Sequence, residues 1–373
     1  MDGLDVASGA ADRGAVVFVL ATSAGGVGRH VAELCAGLAS EGVRVHVAAP
    51  RDTLDRFAFA AATTAVPIGA SLDPVRDLGA ARALRRALRA PSARGAVVHA
   101  HGVRAGLVAA LAVRSLRPRP GLVVTLHNAV LGGGARARLG RAVQDAVCRA
   151  ADAVLAVSQD LVGQARAAGA RRVERALVPA PVLRPGEPVL PPGEPVVLAV
   201  ARLAPQKGLD VLLEAAGLLR QPARVLVAGD GPLRPALAGR IAARALPVRL
   251  LGSRDDVPDL LASADVAVSA STWEGQPVFL QEALRAGVPV VATDAGGTAE
   301  VTGPAADLVP VGDAAALAAA LDALLADPGL RRERAGRARE RAAELPRAAD
   351  ALAQVAAVHA SARRLARGAP DVG

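Results

Sequence analysis

The feature that most constrains this chain is an alternation repeated in two series. Short apolar runs alternate with longer stretches of helical periodicity. In the first series the runs fall at residues 15–20, 43–48, 97–99, 122–126 and 153–157. In the second they fall at 196–200, 224–228, 248–251, 266–269 and 288–293. Continuous Val, Ala and Leu without polar alternation belongs to strands buried on both faces, and strands separated by helices belong to parallel sheets. The expectation is an α/β chain of two Rossmann-like, doubly wound domains. Between the series, residues 184–195 carry five prolines and two glycines, which reads as a linker. A first domain over 1–185 and a second over 186–373 follow, each long enough to bury its own core. Ligands of such sheets sit at the carboxyl ends of the strands, so two such domains facing a central cleft would hold the active site there.

The densest chemistry lies at residues 271–282, Ser-Thr-Trp-Glu-Gly-Gln-Pro-Val-Phe-Leu-Gln-Glu, directly after an apolar run. Pro277 suits the first turn of a helix, where a missing N–H costs nothing. That helix is expected over 278–286, stopping at Gly287 with Pro289 beyond. Glu274 then lies in the loop at the strand's carboxyl end and Glu282 one to two turns into the helix. Between them the unpaired amides of Val278, Phe279 and Leu280 make an anion site flanked by two carboxylates. A phosphate that also carries sugars fits it, amides for the phosphate and Glu oxygens for hydroxyls.

A second pair stands where the run at 196–200 gives way to Ala-Arg-Leu-Ala-Pro-Gln-Lys-Gly. Arg202 and Lys207 would offer a diphosphate a planar fork and a point charge. Lys207 is the sole lysine of the chain, against 43 arginines. A composition that replaces Lys elsewhere keeps it here, which argues that a compact ammonium is needed. In the first half, Gly25-Gly26-Val27-Gly28 follows the first run and reads as a turn. It is not Gly-x-Gly-x-x-Gly, and no acidic residue ends the second run, so NAD is not expected. His127 ends the run at 122–126, and His99 and His101 alternate at the end of an earlier one. None has further ligands at metal spacing.

Glu274 and Glu282, with seven residues between them, resemble the paired-glutamate motif of the retaining nucleotide-sugar glycosyltransferases of family 4. The segment from Ala201 to Gly208 is similar to that family's Gly/Ala-Arg-Leu-x-x-x-Lys-Gly motif. Gly-Gly-Val-Gly-Arg-His, through His30, resembles its acceptor-side glycine loop, and Thr125-Leu-His127-Asn its Thr-x-His-(Asn/Thr). The sequence departs from the family at 177–183, where Val-Pro-Ala-Pro-Val replaces Ile-Pro-Asn-Gly-Val. The resemblance implies the glycosyltransferase-B arrangement, with the donor on the second domain and the last helix, about 347–367, packing back on the first. It implies a catalytic set of Glu274, His127, Arg202 and Lys207. Around the donor it implies Gly26, Arg202, Lys207, Arg254, Glu274, Gly275, Gln276, Pro277, Val278, Phe279 and Glu282. On the acceptor side it implies Gly25, Val27, Arg29, His30 and His101. The activity implied is metal-independent, retaining transfer from a UDP- or GDP-linked sugar to a glycan, lipid-linked or small-molecule acceptor, with no cofactor. A nucleotide-sugar epimerase of the same fold, or a non-catalytic nucleotide-sugar binder, remain alternatives.

Composition narrows the partners. With no Tyr, one Trp and four Phe, stacking platforms for single-stranded nucleic acid are nearly absent, so nucleic acid is not expected. Residues 1–185 hold 24 Arg against 13 acids, whereas 186–373 hold 20 cationic and 22 acidic residues. A basic first half suits an anionic membrane surface or an acidic acceptor, or else reflects an Arg-rich composition. Within residues 78–90, Arg82, Arg85, Arg86 and Arg89 share one helical face and Leu84 and Leu88 another, a pattern able to lie on a membrane. No run spans a bilayer, and Cys35 and Cys148 read as core residues, so a reduced, cytoplasmic setting is expected, with peripheral attachment to the inner face of the membrane as an option. The first dozen residues, small and acidic, read as disordered.

Overall fold

The structure, a computed structural model, describes residues 14–23 and 25–366; the first dozen residues therefore lie outside it. The described residues form two compact units, one of those from 14 to 157, 161–177 and 349–366, the other of 158–160 and 178–348.

The first unit is built on seven strands: β1 (Ala15–Leu20), β2 (Arg44–Ala49), β3 (Ala62–Ala65), β4 (Val97–His101), β5 (Leu122–Leu126), β6 (Ala153–Ala156) and β7 (Val173–Arg175). They hydrogen-bond in the order β3-β2-β1-β4-β5-β6-β7, every pair parallel. The order reverses between β1 and β4, which opens a crevice at their carboxyl ends. The glycine segment expected as a turn is instead the start of the Gly26–Ser40 helix, with Gly25 as its N-cap. Leu84 and Leu88 of the Pro74–Leu88 helix are buried in the unit's core, whereas Arg82, Arg86 and Arg89 are exposed. The apolar face that could have met a membrane is spent on packing, a correction to the surface-helix expectation. The helix Ala348–Ala366 closes this unit: Gln354 accepts from the Leu177 amide at 2.9 Å and donates to the Arg175 carbonyl at 2.8 Å, and Arg172 donates to Ser361 Oγ at 2.9 Å.

The second unit carries β8 (Val196–Val200), β9 (Arg224–Ala228), β10 (Val248–Gly252), β11 (Val266–Ser269), β12 (Val290–Thr293) and β13 (Ala306–Val309) in the order β10-β9-β8-β11-β12-β13, again all parallel. Val197, Ala199, Val225 and Val227 enter one core cluster, while Val196, Leu198, Leu226 and Ala228 enter another. Successive side chains of a strand point to opposite faces, so two cores require apolar residues at every position. The proline-rich segment 184–195 does not act as a free linker. Arg184 donates to Asp259 Oδ1 at 2.8 Å, the Glu187 amide to the same oxygen at 2.9 Å, and the Val189 amide to Ser263 Oγ at 2.9 Å. Proline removes amides that would otherwise need partners, and those of Glu187, Val189 and Leu190 are held by the second unit's side chains. No helix among the described residues is long and apolar enough to cross a membrane.

Candidate active site

In the second unit the strand order reverses between β8 and β11, and the loops leaving these two strands carry the expected pair of charges. After β8 the chain makes a short turn over Pro205–Lys207 and enters the Leu209–Leu218 helix through Gly208. Gly208 has φ +57°, and a Cβ there would lie 1.9 Å from the Ala270 carbonyl oxygen, so the two loops approach at a distance only glycine permits. They are also laced together. The Thr272 amide donates to the Gln206 carbonyl and the Gln206 side chain donates to the Trp273 carbonyl, both at 2.9 Å.

This register brings Lys207 Nζ to 2.5 Å from Glu274 Oε1, and Ser271 Oγ donates to the same oxygen at 2.6 Å. Glu274 is buried and Lys207 half-buried, so each charge needs the other. Ser269 Oγ lies 3.3 Å behind Ser271, and Thr293 holds the Ser271 carbonyl at 2.6 Å. A third loop, after β12, braces the glutamate from its backbone side. The Gly297 amide donates to the Glu274 carbonyl at 2.8 Å, and a Cβ on Gly297 would stand 2.0 Å from the Gly275 oxygen. Trp273 is buried and donates from Nε1 to Asp160 at 2.9 Å.

Pro277 is the N-cap of the Val278–Ala286 helix, which ends at Gly287. The amides of Val278, Phe279 and Leu280 have no intrahelical acceptor. Glu282 is half-buried in the second turn. Gln276 accepts from the Val178 amide at 2.8 Å, which makes it a brace for the incoming chain as well as a neighbour of the site. Together with Gln281, which accepts from the Ala180 amide, and Arg285, which donates to the Ala180 carbonyl, it fixes the segment where the sequence departs from the family pattern. Arg202 is exposed, and its guanidinium has no hydrogen bond or ion pair among the described residues. Arg254, exposed after β10, forks onto Asp256, with Nε 2.7 Å from Oδ1.

In the first unit the carboxyl ends of β1, β4 and β5 hold a cluster of imidazoles. Gly25, Gly26 and Arg29 are exposed and Val27 half-buried, while His30 points into the unit. His101 ends β4, and its Nδ1 lies 2.9 Å from Nε2 of His127, which follows β5. The two rings stack at 5.2 Å, with His30 edge-on to both. Deeper, His99 bridges Thr125 Oγ1 at 2.7 Å and His359 at 2.9 Å. Burial drives all these rings toward the neutral form: His30 falls to about 4, His127 and His359 to about 3, and His99 and His101 well below 6.5. Among the described residues no group of three or more His, Cys, Asp or Glu side chains is arranged to hold a metal.

Sequence reasoning did not assign Ser271, Gln206, Asp160, Thr125 or His359. Ser271 stands three residues before Glu274 and could have been found as its donor. Asp160 is 113 residues from Trp273 and His359 is 260 from His99, separations that leave no local signal.

Residues 194–327 match the family described as glycosyl transferases group 1, and residues 25–181 match the glycosyl transferase 4-like domain. Alpha-D-kanosaminyltransferase of Streptomyces kanamyceticus is 34% identical over 161 residues, 41% of this chain and 41% of that protein. Phosphatidyl-myo-inositol mannosyltransferase of Mycobacterium leprae is 38% identical over 138 residues, 34% of this chain and 36% of that one. The matched stretches thus span about two fifths or less of these relatives. Sucrose-phosphate synthase from Thermosynechococcus elongatus shares the fold with a TM-score of 0.79 at 22% identity, over 95% of this chain and 100% of the other. Anabaena HepE, solved in complex with UDP and glucose, does so with a TM-score of 0.76 at 20% identity, over 93% and 100%. With two matching domains in tandem and this fold over nearly its whole length, the chain belongs to the family 4 glycosyltransferases of glycosyltransferase-B fold.

Proposed function

We propose that this protein transfers a sugar from a nucleoside-diphosphate donor, UDP- or GDP-linked, to a hydroxyl of a glycan, lipid-linked or small-molecule acceptor, with retention of anomeric configuration. The observation that carries the reading is the Lys207–Glu274 pair at the switch point of the second unit, with Arg202 unpaired on the same loop as the lysine.

As the glycosidic bond breaks, charge grows on the leaving diphosphate. Lys207, Arg202 and the amides after Gly275 supply fixed positive potential for it, which stabilises the transition state more than the ground state. Two cations and a helix terminus counter the diphosphate without a divalent ion, so the transfer is metal-independent in this reading. Glu274, held through one oxygen by Lys207 and Ser271, accepts from hydroxyls of the donor sugar. Glu282 accepts from the ribose. No carboxylate takes the part of a covalent nucleophile, so retention proceeds by front-face attack. His127 orients a hydroxyl of the sugar or the acceptor, and the first unit receives the acceptor. The exposed Arg82, Arg86 and Arg89 suit an anionic acceptor or membrane surface. Names among the relatives, a kanosaminyltransferase and a mannosyltransferase, support sugar transfer, and the UDP in the HepE structure supports the donor class.

The test is calorimetric titration with UDP and GDP in EDTA, repeated with Lys207→Ala. One nucleotide should bind without metal and binding should weaken at least about tenfold in the variant. If neither nucleotide binds, the donor site assigned here is wrong.

A further inference from the structure

We propose that His101 acts as a positioning residue that holds His127 in the tautomer protonated on Nδ1, so that His127 meets its ligand as a hydrogen-bond donor. The inference rests on His127 being a ligand-contacting residue, as in the function proposed above.

A neutral imidazole has one donor nitrogen and one acceptor nitrogen, so the 2.9 Å bond between His101 Nδ1 and His127 Nε2 has two settings. In one, His127 donates from Nε2. His101 must then carry its own proton on Nε2, and that nitrogen is buried with no hydrogen-bond partner. Its ring is stacked on His99 at 4.4 Å and lies 5.6 Å from the ring of Phe18. In the other, His101 donates from Nδ1 and its Nε2 is a bare lone pair. Orphaned buried N–H groups are rarer in proteins than under-satisfied acceptors, so the second setting is the stable one. Burial keeps both rings neutral, which removes the doubly protonated state from consideration.

The consequence passes to the far side of His127. Its Nε2 accepts from His101, so its proton sits on Nδ1, which has no partner among the described residues on a half-buried ring. His127 then recognises an oxygen that accepts: a hydroxyl oxygen through a lone pair, a carbonyl or a phosphate. It offers no lone pair with which to take a proton from a hydroxyl, so it does not serve as a general base.

Long-range proton–nitrogen NMR of the full chain labelled with 15N-histidine reads the tautomer directly. Six histidines make assignment by single substitution feasible, with His127→Ala marking the signal of interest. The expected result is His127 protonated on Nδ1 and bare on Nε2. His101→Phe keeps an aromatic ring in the stack without the donor and should shift His127 toward protonation on Nε2. His101→Asn restores an N–H near the same place and should restore the Nδ1 form. Transfer efficiency should fall roughly 10- to 100-fold in His101→Phe and recover in His101→Asn. A wild-type His127 protonated on Nε2, or a His127 tautomer unmoved by His101→Phe, overturns the proposal. The tautomer is read without any donor, so a failure of the proposed transfer leaves this result standing on its own.

Discussion

Lys207 and Glu274 illustrate how a single pair can serve the fold before a ligand arrives. In the absence of an anion the ammonium satisfies a buried carboxylate, helped by Ser271, and a diphosphate would add a second anion to a lysine already held in place. Lys207→Ala leaves Glu274 with the serine alone, and the expected loss of stability is about 1–3 kcal/mol in urea unfolding. Lys207→Arg tests the composition argument. In a chain with 43 arginines and one lysine the substitution follows the composition, yet the guanidinium is a broad fork where a point charge sits against Oε1. Transfer by this variant should drop at least about tenfold, while Glu274→Gln should cost about 100- to 1000-fold in kcat. An active Lys207→Arg enzyme would mean that the lysine's geometry is irrelevant.

Elements, rather than single residues, decide where these groups meet. The three loops after β8, β11 and β12 are joined through backbone, and Gly208 and Gly297 mark the two closest approaches. Gly297→Ala pushes a methyl against the Gly275 oxygen. The expected result is a global stability loss of about 1–3 kcal/mol with a disproportionate loss of donor binding, measured by unfolding and titration on the same preparation. Most strands of this frame are legible in the sequence because central strands, with cores on both faces, are written as unbroken apolar runs such as residues 196–200. The strands that escape notice all lie at sheet edges, whereas the remaining edge, β10, is anticipated by the run at 248–251. β3 reads Ala-Thr-Thr-Ala, β7 Val-Glu-Arg and β13 Ala-Asp-Leu-Val, and an edge strand buries less and so carries polar residues. The motifs around Glu274 and Lys207 were equally legible, because each is contiguous in sequence. The braces that aim them, Gln206, Asp160 and Gln281, were not. Each bonds to a partner at least 67 residues distant, and such pairing follows from packing rather than from local pattern.

At the scale of the molecule the titratable rings are unevenly shared. All six histidines lie in the first unit and the one tryptophan in the second. His30, His127 and His359 have folded values of about 3 to 4 against 6.5 unfolded, so the unfolded chain binds more protons as the pH falls below 6.5. Their stabilising effect is complete above pH 6.5 and is lost as the pH falls toward 4 and then 3, at about 1.4 kcal/mol per pH unit for each ring. Acidification should therefore melt the first unit while Trp273 still reports a buried indole. Far-UV circular dichroism should change at higher pH than tryptophan emission; coincident transitions would contradict the assignment. The placement of His359 has a further consequence during synthesis. The helix that brings it under His99 is translated only after the whole of residues 178–348. At the usual pace of a ribosome the first unit waits roughly 10–30 s for that piece, with the buried His99 lacking its His359 partner meanwhile. The second unit has no such delay: it can close first, although it is encoded later, and the nascent first unit is the part that a chaperone would have to guard.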